Sequence, residues 1–140
     1  VCSYVTRDEV VAEDAAQAAW SVAWRKIGSV RDPARLRPWL ISVAVNEAKQ
    51  LLRQRRRRAE IEIVADASGE PGGVDPATGV GALDLHAALD RLAPDDRALL
   101  AMRYVAGFDS TELAVATGKK PAATRQRLKR LLDRLREDLD

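Results

Sequence analysis

The side chains in this sequence best suited to binding chemistry are the basic and amide groups that follow Pro121. Residues 119–136 contain eight Lys or Arg residues against one acid, Asp133. At about 100° per helical residue, the leucines of this stretch fall on one side and the polar groups on the opposite side and its flanks. The polar set is Arg125, Gln126, Arg127, Lys129 and Arg130. This set favours duplex DNA, because Lys and Arg neutralise phosphates while Arg and Gln can read base edges.

The residues around this basic helix indicate a helix-turn-helix. Asp109 and Glu112 form a capping-box pattern at the start of a short helix, and Gly118 can end that helix in a left-handed conformation. Pro121 is well tolerated in the first turn of the next helix. The apolar stripe of that second helix consists of Leu128, Leu131, Leu132, Leu135 and Leu139. A helix-turn-helix would place the polar face in the major groove; the alternative is a helix pair with a solvated basic face.

A second polar group lies on a helix that the apolar periodicity predicts over residues 36–57. Asn46 and Gln50 are i,i+4 neighbours near its middle, and asparagine is a poor helix former that can be retained for its amide. The helix ends in a run of arginines, Arg53 and Arg55 to Arg58. Such a run seldom packs inside a fold, so we interpret it as a phosphate-binding patch. Solvated amides and a solvated basic tail are the alternatives.

An amphipathic helix is predicted over residues 8–27, with acids in its early turns and Arg25 and Lys26 at its end, as the helix dipole favours. Trp20 and Trp24 share one face of this helix. Packing in the core is the more common role of such a pair. The alternative is a protein-docking surface, since tryptophan is enriched at the energetic centres of interfaces.

The charge distribution divides the chain into three parts. Residues 1–58 carry 12 basic and 6 acidic side chains, residues 59–82 carry 5 acids and no base, and residues 83–140 carry 11 basic and 10 acidic side chains. The middle part has recurring Gly and Pro, no aromatic residue and fading periodicity, which is typical of a linker. We therefore predict an all-α protein with two small helical domains, 1–58 and 83–140, joined by an extended acidic linker at 59–82.

The composition argues against a disulfide, a metal or catalytic site, and a location in the membrane. A single cysteine, Cys2, forms no internal disulfide, and the single histidine, His86, has no cluster of partners, so we expect a helix-surface histidine and no metal or cofactor. No acid–base pair, nucleophile–base pair or phosphate loop is evident, and the protein is not expected to be an enzyme. No apolar run approaches the about 18 residues of a membrane span, and no signal peptide is visible, which predicts a cytoplasmic protein.

Three blocks together resemble the extracytoplasmic-function (ECF) sigma factors, the small two-domain group of alternative sigma factors. The first, AEDAAQAAWSVAW at residues 12–24, resembles the family's segment 2.2. The second, RLRPWLISVAVNEAKQLLRQRRRR at residues 35–58, resembles segments 2.3 and 2.4. The third, ALDRLAPDDRALLAMRYVAGFDSTELAVATG at residues 88–118, resembles region 4 together with the following helix. The order of the blocks across an acidic linker makes the resemblance specific.

The resemblance implies a promoter-specificity factor for bacterial core RNA polymerase. Segment 2.2 would dock on the polymerase clamp helices through Asp14, Gln17 and Trp20. The unwound non-template strand of the −10 element would be read by the loop Asp32, Pro33, Ala34 and Arg35 and by Trp39, Asn46, Gln50 and Arg53. The −35 duplex would be read by Arg103, Arg125, Gln126, Arg127, Lys129 and Arg130. The family also implies contact with the polymerase flap and an anti-sigma factor as a further partner.

The sequence departs from the family pattern near its start. The family's first helix, ahead of segment 2.2, is mostly missing, which suggests N-terminal truncation and predicts exposed apolar surface on residues 11–24. Ala16 and Ala18 replace the usual aliphatic and acidic residues of segment 2.2. The main alternative function is an autonomous helix-turn-helix regulator that binds duplex DNA. A second alternative is an RNA-binding or regulatory adaptor that uses the arginine run.

Overall fold

The protein is helical in every regular element that its computed structural model describes, which covers residues 1–62 and 80–140. The N-terminal half contains α1 (Cys2–Thr6), α2 (Glu9–Lys26) and α3 (Leu36–Glu62), with short 3₁₀ turns at Ile27–Ser29 and Pro33–Arg35. The C-terminal half contains α4 (Val80–Asp90), α5 (Pro94–Leu100), a π-helical turn at Ala101–Val105, α6 (Ser110–Thr117) and α7 (Pro121–Leu139). The all-α prediction is confirmed.

The predicted linker at 59–82 lies mostly outside the described residues. Its first four residues continue α3 as far as Glu62, and α4 begins at Val80. α3 therefore continues beyond its run of arginines, past the end at residue 57 that the sequence periodicity indicated. Across the described residues, no helix is both long enough and apolar enough to cross a lipid bilayer.

Small side chains allow α2 and α3 to pack closely. Ala12, Ala15, Ala19 and Ala23 recur at helical spacing on α2 and are all buried. On α3, Ala48 is fully buried and Val45 is 2% exposed. An alanine face lets two helix backbones approach each other with little side-chain entropy lost on burial.

A short helix before α2 covers much of its apolar side, which corrects part of one expectation. The sequence predicted exposed apolar surface on residues 11–24; Val11 and the alanines of α2 are buried, whereas Trp20 and Trp24 are exposed. α1 packs against α2, α3 and α5, and its Val5 is completely buried. α1 ends at Arg7, which adopts a left-handed conformation (φ 56°) and donates its backbone N–H to Ser3 O at 2.9 Å.

Asp8 begins α2 and links it to the basic end of α3. Its Oδ1 accepts the backbone N–H groups of Val10 and Val11 at 2.9 and 3.1 Å, and its Oδ2 lies 2.8 Å from Arg55 Nη1. The hydrogen bond from Val11 and, to a smaller extent, the charge of Arg55 hold the pKa of Asp8 below its usual value. The ionised carboxylate therefore stabilises the folded state, and this stabilisation is lost as the pH falls through the lowered pKa.

We expect Asp8→Ala to lower the free energy of unfolding by about 0.5–2 kcal/mol at neutral pH, because the helix loses its N-cap. Asp8→Asn keeps the cap acceptor and removes the titrating charge. Urea unfolding of both variants and the parent at pH 7 and pH 3 checks this. The difference between the parent and Asp8→Asn should shrink at pH 3, and an undiminished difference would contradict the assignment.

The C-terminal half holds α4 against α7 through its own apolar cluster. Ala88 and Leu92 pack with Leu131 and Leu135, and all four are buried. α5 begins at Pro94, and the turn after the π-helical segment is fixed by Phe108 N–H donating to Met102 O at 2.9 Å. These contacts position the helix-turn-helix against α5.

The two predicted helical domains pack on each other through one shared buried cluster. Val5, Ala15, Val45 and Ala48 belong to the same buried cluster as seven residues of the C-terminal half. Those seven are Ala98, Leu99, Ala101, Met102, Ala106, Phe108 and Leu113. The physical reason is that each half alone leaves an apolar face that the other half covers, which small domains need for stability.

Candidate nucleic-acid interface

The helix-turn-helix is built by the local interactions that its sequence predicts. Asp109 Oδ1 accepts Glu112 N–H at 2.8 Å, and Glu112 Oε2 accepts Asp109 N–H at 2.9 Å, which completes the capping box. Gly118 ends α6 at φ 66°, in the left-handed region where a residue with Cβ is strained. Pro121 occupies the first turn of α7. The turn between α6 and α7 therefore has its predicted form.

α7 presents a polar face to solvent and an apolar stripe to the domain. Thr124, Leu131 and Leu135 are buried, whereas Leu139 at the end of the stripe is 42% exposed. The exposed polar side chains are Arg125, Gln126, Arg127, Lys129 and Arg130. Four cations and one amide on a rigid, exposed helix face provide both phosphate-binding and base-reading groups.

The side chains of this α7 face differ in whether they form ion pairs with other residues. Arg127 donates to Asp96 Oδ1 through Nε at 3.1 Å and Nη2 at 2.7 Å, which ties α7 to α5. Lys129 Nζ lies 3.2 Å from Asp133 Oδ2 in an exposed i,i+4 pair that solvent screens. Arg127 is therefore committed to a structural contact, whereas no ion pair within the described residues engages Arg125 or Arg130.

Arg103 lies outside α7 and supports the turn that precedes α6. Its Nη1 donates to Phe108 O at 2.7 Å, although the residue as a whole is exposed. The contact leaves other guanidinium donors available. A phosphate contact by Arg103 is compatible with this position.

The predicted polar group on α3 shares one face. At about 100° per residue, Trp39, Asn46, Gln50 and Arg53 fall within an arc of about 60°. Asn46, Gln50 and Arg53 are exposed, and Trp39 is half-buried. The buried Val45 and Ala48 face away from this arc and anchor the helix. The arrangement offers amide donors and acceptors beside an aromatic ring and a cation, groups that suit an unstacked base.

The loop before α3 is short and ordered by its own side chain. Asp32 Oδ1 accepts Ala34 N–H at 3.0 Å, and Asp32 Oδ2 lies 4.0 Å from Arg35 Nε. Pro33 begins the 3₁₀ turn, and residues 31–37 are all exposed. The loop leads directly into the α3 face and can form one wall of a binding surface there.

The tryptophans of α2 lie on the outside of the protein, so the more common role of such a pair, packing in the core, does not apply here. Trp20 is 65% exposed and Trp24 is 83% exposed. Asp14 and Gln17 are exposed on the same side of α2. Two large exposed aromatic rings beside an acid and an amide are typical of a protein-docking surface.

Comparison with known proteins identifies both halves. The family model for sigma-70 region 2 matches residues 1–58, and the model for sigma-70 region 4 matches residues 82–135. The RNA polymerase sigma factor CarQ of Myxococcus xanthus is 31% identical over 137 residues, covering 95% of this chain and 77% of CarQ. Region 2 is thus followed by region 4 with only a short stretch between them. The chain belongs to the ECF sigma factors of the sigma-70 family.

Two further comparisons describe this sigma factor's relatives. A probable RNA polymerase sigma factor, RfaY of Xanthomonas campestris pv. campestris, is 32% identical over 145 residues. The alignment covers 96% of this chain and 36% of RfaY, so the chain spans about a third of that relative's length. The sigma factor RpoE of Bartonella quintana, solved in complex with the anti-sigma factor NepR, matches with a TM-score of 0.78 at 23% identity, covering 99% of this chain and 86% of RpoE.

Some features of this sigma factor could not be read from its sequence. One of these is a hydrogen-bond partner for His86, whose Nδ1 lies 2.7 Å from Arg7 Nη2. Because a guanidinium can only donate, His86 Nδ1 accepts this hydrogen bond. Lys49 lies beside the α3 face and pairs with Asp95 at 3.1 Å, and Arg37 donates to Ala106 O at 2.7 Å. These contacts join residues far apart in the sequence, and no local pattern signals them.

Proposed function

We propose that this protein directs bacterial core RNA polymerase to specific promoters and assists in melting them. The observation that carries the proposal is the pairing of two different exposed faces on one sigma-family chain. The α7 face has the charge and shape for duplex DNA, and the α3 face has the amides and aromatic ring for a single strand. A regulator that only binds duplex DNA does not need the second face.

The −35 duplex is assigned to α7, with its polar face in the major groove. Arg125, Gln126 and Arg130 are the base-reading candidates, because each is exposed and none is committed to a strong internal contact. Lys129 and Arg103 are assigned to phosphates. Arg127 positions α7 through Asp96, so its contribution to binding is indirect.

The −10 non-template strand is assigned to the α3 face and the loop at residues 32–35. Asn46 and Gln50 supply hydrogen bonds to a base edge, which becomes accessible only once the base is unstacked. Arg53 and the arginines that follow it supply phosphate contacts along the strand. The side chain of Trp39 is half-buried and lies on the same face of α3 as these groups.

The polymerase contact is assigned to the outer face of α2, where Asp14, Gln17 and Trp20 lie. Trp24 extends this surface by a further helical turn. Region 4 would contact the polymerase flap, and the acidic residues 59–82 would thread near the active-site cleft. An anti-sigma factor is a further proposed partner, and the cytoplasm is the proposed location, since core RNA polymerase works there.

Replacing Asn46 by alanine should impair promoter opening more than initial binding. Loss of one or two hydrogen bonds to a base should reduce opening by about threefold to tenfold. Fluorescence of 2-aminopurine in the −10 element reports opening, and a mobility shift on closed duplex reports initial binding. Gln54→Ala, an exposed amide one turn beyond Gln50, is the matched control. Equal losses in both steps would contradict the single-strand assignment.

Co-elution of this chain with bacterial core RNA polymerase tests the proposed function as a whole. We expect a stable complex that survives gel filtration. Tight binding to duplex DNA with no association with the polymerase would favour the autonomous regulator instead.

A further inference from the structure

A cleft of about 470 Å³ opens between α3 and the helix-turn-helix. Its volume lies within the range of about 300–1,000 Å³ that small-molecule sites have. α3 forms one wall, α5 and the π-helical turn form the floor, and the end of α6 with the first half of α7 forms the other wall. Rigid helices therefore shape the cleft on every side.

The deepest part of the cleft is apolar. Val45, Leu99 and Met102 line it, and each is at most 3% exposed because it also belongs to the buried cluster beneath. Ala116 and Ala123 continue the apolar surface up the wall that α6 and α7 form. Water on such a surface is displaced favourably only by apolar groups. The floor therefore favours a ligand with an apolar body.

Two cations at the rim can bind an anionic group. Lys119 and Arg130 line the cleft and are exposed, and no ion pair in the part of the chain that the structure describes engages either of them. The other cations of the lining, Lys49 and Arg127, already have carboxylate partners on α5, at 3.1 and 2.7 Å. The rim thus suits one carboxylate group better than a polyphosphate with several charges.

The polar groups of the cleft suit a nucleotide poorly. The described lining contains no aromatic ring on which a base could stack, and Asn46 is its single amide. The hydroxyls of Ser42, Thr117 and Thr124 donate to backbone carbonyls of their own helices, at 2.9, 2.8 and 3.1 Å. Since each hydroxyl has one proton to donate, few donors remain for a base edge or a sugar.

We propose that this cleft binds a small monocarboxylate with an aliphatic body. The aliphatic chain lies on the apolar floor, and the carboxylate accepts hydrogen bonds from Lys119 and Arg130 at the rim. An arginine can hold a carboxylate with two parallel hydrogen bonds, and a lysine adds a compact charge. A neutral molecule of the same shape lacks the charge, and an inorganic anion lacks the apolar body.

Binding has a consequence for DNA that rests on the proposed function. Asn46 and Arg130 both line the cleft and are assigned to the −10 strand and the −35 duplex. A bound carboxylate engages Arg130 and covers Asn46, so it should compete with DNA. A titration of duplex DNA with and without the carboxylate measures this. A lower affinity supports the competition, and an unchanged affinity overturns it.

Met102 reports binding directly, because it is the single methionine of the sequence and lies on the floor of the cleft. NMR of the full chain, labelled at the methionine methyl group, should show a saturable shift with octanoate. Octanamide keeps the aliphatic chain without the charge, and inorganic phosphate keeps a charge without the chain. Both should bind at least about tenfold more weakly than octanoate.

Two pairs of neighbouring residues locate the site. Ala123→Leu fills part of the cleft and should abolish octanoate binding, whereas Ala122→Leu is the control, because Ala122 is exposed on α7 outside the lining. Lys119→Gln should weaken binding by about twofold to twelvefold. Lys120→Gln removes the same charge one position outside the lining and should leave the affinity unchanged. Circular dichroism checks that all four variants keep the helix content of the parent.

Several results would overturn the proposal. These are the absence of a saturable shift with octanoate, equal affinity for octanoate and octanamide, and tighter binding of ATP than of octanoate. Equal effects within either pair of variants would also overturn it, since the anion would then bind elsewhere. The binding measurements involve neither DNA nor RNA polymerase. Failure of the chain to associate with the polymerase would therefore count against the proposed function alone.

Discussion

Replacing Phe108 by alanine is expected to lower the free energy of unfolding by about 3–5 kcal/mol. Its side chain is completely buried within the cluster that joins both halves of the chain. The cavity left behind would be lined by the apolar groups of a core that contains residues such as Val45 and Leu113. A loss of this size is a large part of the typical 5–15 kcal/mol that stabilises a domain.

Urea unfolding followed by circular dichroism at 222 nm checks the Phe108 prediction. Val115→Ala, at a position that is 80% exposed on α6, is the control and should change stability by less than about 0.5 kcal/mol. A loss of under about 1 kcal/mol for Phe108→Ala would show that the shared core does not hold the protein together in solution.

Replacing Arg130 by alanine should reduce the use of promoters that depend on the −35 element by about fivefold to 150-fold. The estimate follows from about 1–3 kcal/mol for the loss of one bidentate contact between arginine and a base. The Arg130 side chain is exposed on α7, and the helix should fold without it. Transcription by the polymerase complex and footprinting over the −35 element measure the effect.

Arg136→Ala is the matched control for Arg130. It removes the same charge from the same helix, but Arg136 lies near the end of α7 and pairs with Asp133 at 3.6 Å. It should weaken all promoters slightly and to a similar extent. Unchanged transcription and an unchanged upstream footprint for Arg130→Ala would refute its role in reading the −35 element.

The helix-turn-helix could be predicted from sequence because local rules determine it. Asp109 with Glu112 forms a capping box, Gly118 adopts a left-handed conformation, and Pro121 opens the next helix. Each feature depends on residues within one or two helical turns of itself. The exposed positions of Asn46 and Gln50 on α3 followed from the same periodicity.

The position of the tryptophans on α2 could also have been predicted. Alanines at 12, 15, 19 and 23 already complete an apolar face, and Trp20 and Trp24 fall about 80–120° away from the first of them. The periodicity of the alanines therefore favours surface positions for both rings over the core packing that is more common for tryptophan. Large side chains outside a continuous small-residue face are better interpreted as surface groups.

The contacts between the two halves could not be predicted from a single sequence. Arg97 meets Val5 across 92 positions and Arg37 meets Ala106 across 69, and within the C-terminal half Arg127 meets Asp96 across 31. Long-range pairing of arginines depends on how the helices pack rather than on local spacing. The packing of the two halves and the structural role of Arg127 both depend on such contacts.

The measurement that tests the central claim most directly is transcription by core RNA polymerase, supplied with this chain, from a library randomised across the promoter. The account predicts enrichment of two separated sequence blocks. Arg130→Ala should relax selection in the upstream block only, and Asn46→Ala should weaken selection in the downstream block only. Selection of a single block, or both variants affecting the same block, would contradict the claim that α7 and α3 read two different elements.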